Sequence, residues 1–263
     1  MNAIQKFFDS LRRKSADVGY ACDACGGEVF EYPFRRLCVD CERSLSKNEQ
    51  KSCKKCGRKT VTEGVCLNCK RELPKFDLGI SPLVYEGQAA SLVNRMKKGE
   101  TRLAWYLGEE MAESLIKVLF PDGNGLNGEN PYRISEEEPL LLVPVPLTVE
   151  REKERGYNQA ERLAEGIERR LCALGVPVET GVEVLQKLRE GEQQKQMGYQ
   201  ARKENVRGAY HVHQRMKCKE RTVVLIDDIL TTGATGNECA ERLFGAGART
   251  VLFLTASSRA EQK

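Results

Sequence analysis

Eight of the chain's eleven cysteines fall within 48 residues, as four Cys-x-x-Cys pairs: Cys22/Cys25, Cys38/Cys41, Cys53/Cys56 and Cys66/Cys69. A Cys-x-x-Cys turn aims two thiolates at one point about 2.3 Å from each sulfur, the Zn–S bond length, and two such turns complete a tetrahedron. Four sulfur ligands leave no open position, so a metal held this way is structural. Twelve residues separate the first two pairs and nine the last two. The simplest wiring is sequential, with Cys22, Cys25, Cys38 and Cys41 on one zinc and Cys53, Cys56, Cys66 and Cys69 on another. Spacing leaves a cross-braced wiring open, and the count at one ion or two. A redox role uses a single such motif and does not account for four. Gly26 and Gly57 each follow the second cysteine of a pair, where a knuckle needs a residue free to take positive φ. Lys51, Lys54, Lys55, Lys59, Arg43 and Arg58 surround the third pair and offset its thiolate charge. The segment has few large apolar side chains, so bound metal is expected to supply much of its folding free energy. Cys172, Cys218 and Cys239 stand alone and read as packing residues.

At 263 residues, the chain suits one large domain with a small one. With 40% apolar and 30% charged residues it can build a globular core, and wholesale disorder is excluded. No apolar run approaches the ~18 residues of a membrane span, so no membrane insertion is expected. The N-terminal MNAIQKFFDSLRRKS is charged where a secretory signal must be apolar. A cytoplasmic location follows, where paired thiols serve metals sooner than disulfides. The net charge of +4 is unevenly divided: residues 1–75 carry 16 Lys and Arg against 10 Asp and Glu, and the rest 26 against 28. A polyanion such as single-stranded DNA would therefore meet the first segment, through its phosphates. Tyr20, Phe30, Tyr32 and Phe34 are the few aromatics there for base stacking. A solvated basic surface is the alternative. The chain divides into an N-terminal arm (1–20), a zinc-binding domain (21–75) and an α/β domain (76–263).

Beyond residue 76, strand-like and helix-like stretches alternate. Strands are expected at 81–85, 140–145, 182–185, 222–226 and 250–255, and helices at 89–97, 103–119, 157–174 and 234–244. The 157–174 stretch repeats apolar residues at the 3–4 spacing of an amphipathic helix. Continuous apolar strands between helices imply a largely parallel α/β sheet. Residues 121–139 read as a surface excursion. In such sheets, ligands bind beyond the carboxyl ends of the strands. After the apolar strand TVVLI comes a loop with Asp227 and Asp228, then Thr231, Thr232, Gly233, Ala234 and Thr235 where a helix begins. Hydroxyls and backbone N–H groups at a helix N-terminus make a pocket for a phosphate, and the carboxylates beside it suit sugar hydroxyls. The ligand this asks for is a ribose 5-phosphate.

The stretch VVLIDDILTTGAT resembles the phosphoribosyl diphosphate (PRPP) signature of type I phosphoribosyltransferases. The wider layout is the cysteine pairs, MKKGE at 96–100, VPVPL at 143–147, RGYNQA at 155–160, RKENVRGAY at 202–210 and that loop. It resembles the ComF family, competence-associated proteins similar to amidophosphoribosyltransferases, from about Cys22 to the C-terminus. The resemblance implies a type I phosphoribosyltransferase-like, mostly parallel sheet flanked by helices, with the small zinc-binding domain ahead of it. It implies that Asp227 and Asp228 engage the ribose 2- and 3-hydroxyls and that Thr231, Thr232, Gly233, Ala234 and Thr235 wrap the 5-phosphate. Lys97 and the VPVPL segment fall where the diphosphate is handled, and Arg155 and Asn158 lie on the facing loop. Arg189 and Gln194 fit the family's active-site cover, while Gly191 stands where a threonine is usual; Gln193–Gln196 and Arg202 are further candidates for that cover. The implied chemistry is displacement of diphosphate at the ribose anomeric carbon, with Mg²⁺ as the neutralising ion and Lys97 and Arg155 adding charge. The acceptor is not legible. No glutaminase domain or N-terminal catalytic cysteine is present in the sequence, so this chain alone is not expected to use glutamine. The implied setting is natural transformation and DNA uptake, with PRPP or a phosphoribosyl nucleotide, single-stranded DNA and other competence proteins as partners. A non-catalytic nucleotide sensor, or a scaffold built on the zinc segment, is the competing class. Lys97 next to Lys98-Gly99 also fits a plain helix end, Arg155-Gly156 a plain turn, and His211 and His213 surface positions on a strand.

Overall fold

The structure, a computed structural model, describes residues 21–29, 36–48, 52–61, 63–123, 131–188 and 208–261. The expected arm at 1–20, Tyr20, Phe30, Tyr32, Phe34 and Lys51 lie outside the described residues, as do Arg189, Gly191, Gln193–Gln196 and Arg202.

Three apolar strands form the centre of a parallel sheet: β3 (Leu140–Pro144), β7 (Thr222–Leu230) and β8 (Thr250–Ser258). Short strands complete it: β1 (Leu78–Ile80) and β2 (Leu83–Val84) both pair with β8, and β4 (Val178–Thr180) pairs with β3. The strand order is β1-β8-β7-β3-β4. Every residue of β3 is buried, because both faces of the sheet are covered. Leu142, Val224, Ile226, Leu252 and Leu254 face one core, with helices α3 (Gly87–Lys97), α4 (Leu103–Leu119) and α6 (Gln159–Ala173). Leu141, Val143, Val223, Leu225 and Phe253 face the other, with helix α8 (Ala234–Gly245) and the antiparallel pair β5 (Leu185–Lys187) and β6 (Tyr210–Val212). A single turn, α7 (Arg215–Cys218), leads from β6 to β7.

The cysteine segment divides across the sheet. Cys22, Val29, Leu37 and Leu45 join the first core, and Cys53, Cys56, Cys66 and Cys69 the second. Two one-turn helices, α1 (Val39–Arg43) and α2 (Leu67–Arg71), start directly after Cys38 and Cys66.

Several elements differ from the expectation. Strands β7 and β8 each run past their apolar stretch, to Leu230 and Ser258, because each supplies ladder partners to the other: Asp227 lies opposite Thr255 and Leu230 opposite Ser258. The strand expected at 81–85 is only the two-residue β2, and a further strand, β1, precedes it across Ser81-Pro82. The strand expected at 182–185 begins only at Leu185, and Val182 sits exposed in a turn. A strand not expected from the sequence, β4, has three residues that are all half-buried, so no apolar face marks it. A further helix, α5 (Val149–Arg155), precedes α6; Thr148 caps it by accepting from Arg151 N–H, and Gly156 ends it at φ +84°. Of the three isolated cysteines, Cys218 and Cys239 are buried as expected, but Cys172 is exposed at the end of α6.

Candidate functional site

The four thiols of each sequential set converge, their sulfurs all within 4.8 Å of one another: Cys22, Cys25, Cys38 and Cys41 in one group, Cys53, Cys56, Cys66 and Cys69 in the other. The two groups are built alike. In each, the first cysteine's N–H donates to a carbonyl five residues on, Gly27 or Arg58, and the glycine after the pair donates back to that cysteine's carbonyl. The N–H of Cys38 donates to Cys22 Sγ at 3.2 Å, and that of Cys66 to Cys53 Sγ at 3.3 Å. Four soft donors at this spacing fit a tetrahedral ion such as zinc, and each group could hold one. The second group is wholly buried, whereas Cys25 of the first is exposed.

The acid pair stands at the carboxyl end of β7. Asp228 is buried, and Lys97, the last residue of α3, places its ammonium 3.1 Å from Oδ2, an ion pair without the alignment of a hydrogen bond. Tyr157 fastens this helix end, its hydroxyl donating to the Met96 carbonyl. The Asp227 carboxylate accepts the Asp228 N–H at 2.8 Å. Burial, and after it the Asp228 charge alongside, pushes the Asp227 carboxyl up to about 7; Lys97 and Lys187 oppose the shift. Lys187 comes from β5, its ammonium 5.7 Å over the Tyr210 ring. Lys187 carries no signal in the sequence, because nothing local says that β5 approaches the acids.

Thr231, Thr232, Gly233, Ala234 and Thr235 follow, all partly exposed. Gly233, at φ +84°, turns the chain into α8, and Ala234 N–H donates to Thr232 Oγ1 at 3.3 Å. Among the described residues, the N–H groups of Thr232 and Gly233 have no acceptor. A helix start with open donors favours an anion.

Other expected residues take different places. The Arg155 guanidinium donates to Gln159, one turn on, and no contact joins it to the acids among the described residues. Asn158 is a buried helix cap: Oδ1 accepts from Ala160 N–H at 3.0 Å while Nδ2 donates to the Val145 carbonyl at 3.1 Å. It thereby ties α6 to the VPVPL segment, whose Val145 N–H donates to Ile226 on β7. Of the cations expected around the third cysteine pair, Arg58 is only 4% exposed and donates to Cys56 Sγ, whereas Lys54, Lys55 and Lys59 are exposed. A cleft of about 700 Å³ lies away from the acids, between the second cysteine group and α4, with Asn48, Gly57, Gly79, Glu110 and Lys117 in its walls.

No family model matches the chain. Competence protein ComFC of Bacillus subtilis is 28% identical over 137 residues, a match spanning 52% of this chain and 53% of that one. DNA utilization protein YhgH of Escherichia coli (strain K12) is 23% identical over 216 residues, 82% and 87% of the two chains. Competence protein F of Haemophilus influenzae is 23% identical over 234 residues, 88% and 94%. These relatives, 23–28% identical, support placing the chain in the ComF family. The ComF match to the Bacillus protein covers only about half of that relative's length. Among solved structures, the chain is similar to a hypoxanthine-guanine phosphoribosyltransferase of Leishmania tarentolae in complex with GMP, at 13% identity and a TM-score of 0.35 over 60% of this chain and 67% of that one. A hypoxanthine phosphoribosyltransferase of Trypanosoma cruzi complexed with IMP matches at 17% identity and a TM-score of 0.35, over 58% and 62%. No helix among the described residues is long and apolar enough to cross a membrane.

Proposed function

We propose that this chain is a ComF-family protein that binds PRPP at the end of β7 and transfers the phosphoribosyl group to an acceptor. The observation that carries the reading is the adjacency of the Asp227–Asp228 pair, a lysine 3.1 Å from it, and a partly exposed loop with open N–H groups at the start of α8. In this reading, Thr231, Thr232, Gly233, Ala234 and Thr235 hold the 5-phosphate, and Asp227 and Asp228 hold the ribose hydroxyls. Lys97 and Arg155 face the diphosphate. The carbon–oxygen bond from the anomeric carbon to diphosphate breaks, and a bond to the acceptor forms. Orientation of the ring and neutralisation of the leaving group lower the barrier. Asp227 and Asp228 offer the oxygen donors that Mg²⁺ prefers, and bound Mg²⁺ would neutralise the diphosphate.

The names of the relatives, competence and DNA utilization, support a role in DNA uptake; a cytoplasmic setting, with single-stranded DNA or competence proteins as partners, belongs to the same proposal. The division into an arm (1–20), a zinc-binding part (21–75) and a catalytic part (76–263) belongs to the same proposal. A second reading, a non-catalytic protein that senses a nucleotide and binds DNA, is favoured by exposed Lys54, Lys55 and Lys59.

Calorimetric titration with PRPP and Mg²⁺ decides the first reading. Wild type is expected to bind, and the double variant Asp227→Ala, Asp228→Ala to lose at least tenfold in affinity, about 1.4 kcal/mol. Equal affinities would reject the sugar-binding role.

A further inference from the structure

Arg58 spans two parts of the molecule that lie 173 residues apart in sequence. Its Nε donates to Cys56 Sγ at 3.3 Å, and its Nη2 donates to the Thr231 carbonyl at 2.8 Å. An arginine is charged at any working pH, so a buried one must have its donors met. Here one acceptor is a sulfur of the second cysteine group, and the other is the first residue of the loop read as the phosphate site.

The surroundings make this contact stiff. The second cysteine group lies against β1 so closely that a Cβ on Gly79 would stand 2.4 Å from the Cys56 carbonyl oxygen, and one on Gly57 2.3 Å from the Gly79 carbonyl oxygen. Gly79 N–H donates to the Lys55 carbonyl at 2.7 Å. Asn48 Nδ2 bridges the Gly57 carbonyl and Ser258 Oγ, at 2.7 and 3.1 Å. Past the end of β8, the Glu261 carboxylate accepts from Leu67 N–H, its own N–H donates to the Lys59 carbonyl, and Arg259 N–H donates to the Leu230 carbonyl. The knuckle, the end of β8 and the start of the loop therefore form one hydrogen-bonded body.

We propose that Arg58 is a positioning residue that couples metal occupancy of the second cysteine group to phosphate binding at residues 231–235. A metal gathers the four sulfurs and so fixes Cys56 Sγ, the acceptor that aims the guanidinium; donors to a ligating sulfur orient it in turn. Arg58 thus holds the Thr231 carbonyl where the loop's N–H groups stay open. Without the metal, the knuckle loses its scaffold and the loop its brace. Coupling of this kind is reciprocal: a ligand that needs the braced loop also slows loss of the metal. The proposal rests on the loop being a phosphate site.

The test uses the full zinc-loaded chain and ribose 5-phosphate as probe. A chelator is added with an alkylating reagent, and modification of each cysteine is followed by mass spectrometry, with binding of ribose 5-phosphate measured in parallel by calorimetry. Saturating ribose 5-phosphate is expected to slow alkylation of Cys53, Cys56, Cys66 and Cys69 by about fivefold or more, the lower end of ordinary coupling. In Arg58→Lys, which keeps the charge but lacks the fork, the cysteines are expected to be modified at similar rates with and without ligand. If that variant does not fold, Arg58→Gln takes its place, and the wild-type comparison stands by itself. Binding without protection in wild type overturns the coupling and leaves the phosphate site intact. Protection retained in a folded Arg58 variant overturns the role of Arg58. Absence of binding removes the phosphate site and the coupling with it.

Discussion

Asp227 is a carboxylate whose charge the fold disfavours. Its carboxyl is pushed up to about 7, chiefly by burial and then by Asp228 beside it. A raised pKa means that the folded chain holds the proton more tightly than the unfolded chain does. The associated stability is fully present below about pH 4, the ordinary carboxylate value, and is lost as pH rises through 7. Asp227→Asn keeps an oxygen to accept the Asp228 N–H and carries no charge. The variant is expected to melt higher than wild type at pH 8, with the gap closing as pH falls toward 4, in thermal unfolding followed across that range. A gap that stays constant with pH would show that the Asp227 charge is not its source. The same substitution is expected to weaken PRPP binding, the usual exchange of stability for function at a binding site. Lys97 is matched to this burden: its ammonium is the cation placed by an ion pair on Asp228, and Tyr157 steadies the helix end that presents it.

Among the elements, the seam between the second cysteine group and β1 is the least forgiving. Gly79 lies in a strand, where its backbone is ordinary, so its requirement is space alone: the Cys56 carbonyl oxygen and Cα lie 2.4 and 2.8 Å from where a Cβ would be. These are backbone atoms that cannot swing aside. Gly79→Ala is expected to cost about 1–3 kcal/mol, as overpacking ordinarily does, and to increase the chelator sensitivity of the second cysteine group more than that of the first. Thermal melting and cysteine-resolved alkylation measure the two effects, and an unchanged second group would mean that the seam is not what holds the knuckle. Element lengths follow the same rule that neighbours decide. The apolar run TVVLI marks where β7 begins, while its extension through the acids to Leu230 depends on β8 lying alongside as its ladder partner. The break between α5 and α6 is local, set by Gly156 at φ +84° and the Asn158 cap, and both signals stand in the sequence.

At the scale of the whole molecule, the cysteine segment clasps the sheet, one group on each face. Of the cations around the third cysteine pair, Arg58 points inward to Thr231, and Lys54, Lys55 and Lys59 remain exposed as the outward basic surface. Replacing these three lysines with alanine is expected to reduce the salt dependence of single-stranded DNA binding, by up to about 0.7 in slope for each phosphate that is no longer neutralised. Titrations across salt concentrations measure it, and an unaltered slope would place DNA binding on another surface. By itself, the sequence determined the two sets of paired thiols suited to a metal, the alternation that makes a parallel sheet, and the acid pair just ahead of a helix start, because each is written in a short contiguous pattern: Cys-x-x-Cys spacing, apolar runs, and a glycine where α8 starts. The tertiary structure decided which cysteine pairs share a site, that Lys97 reaches Asp228, that the Lys187 charge acts on Asp227, and that Arg58 donates to the Thr231 carbonyl. Each of these joins side chains far apart along the chain, and the partner of a long flexible cation is fixed by what packs against it, which no local pattern encodes.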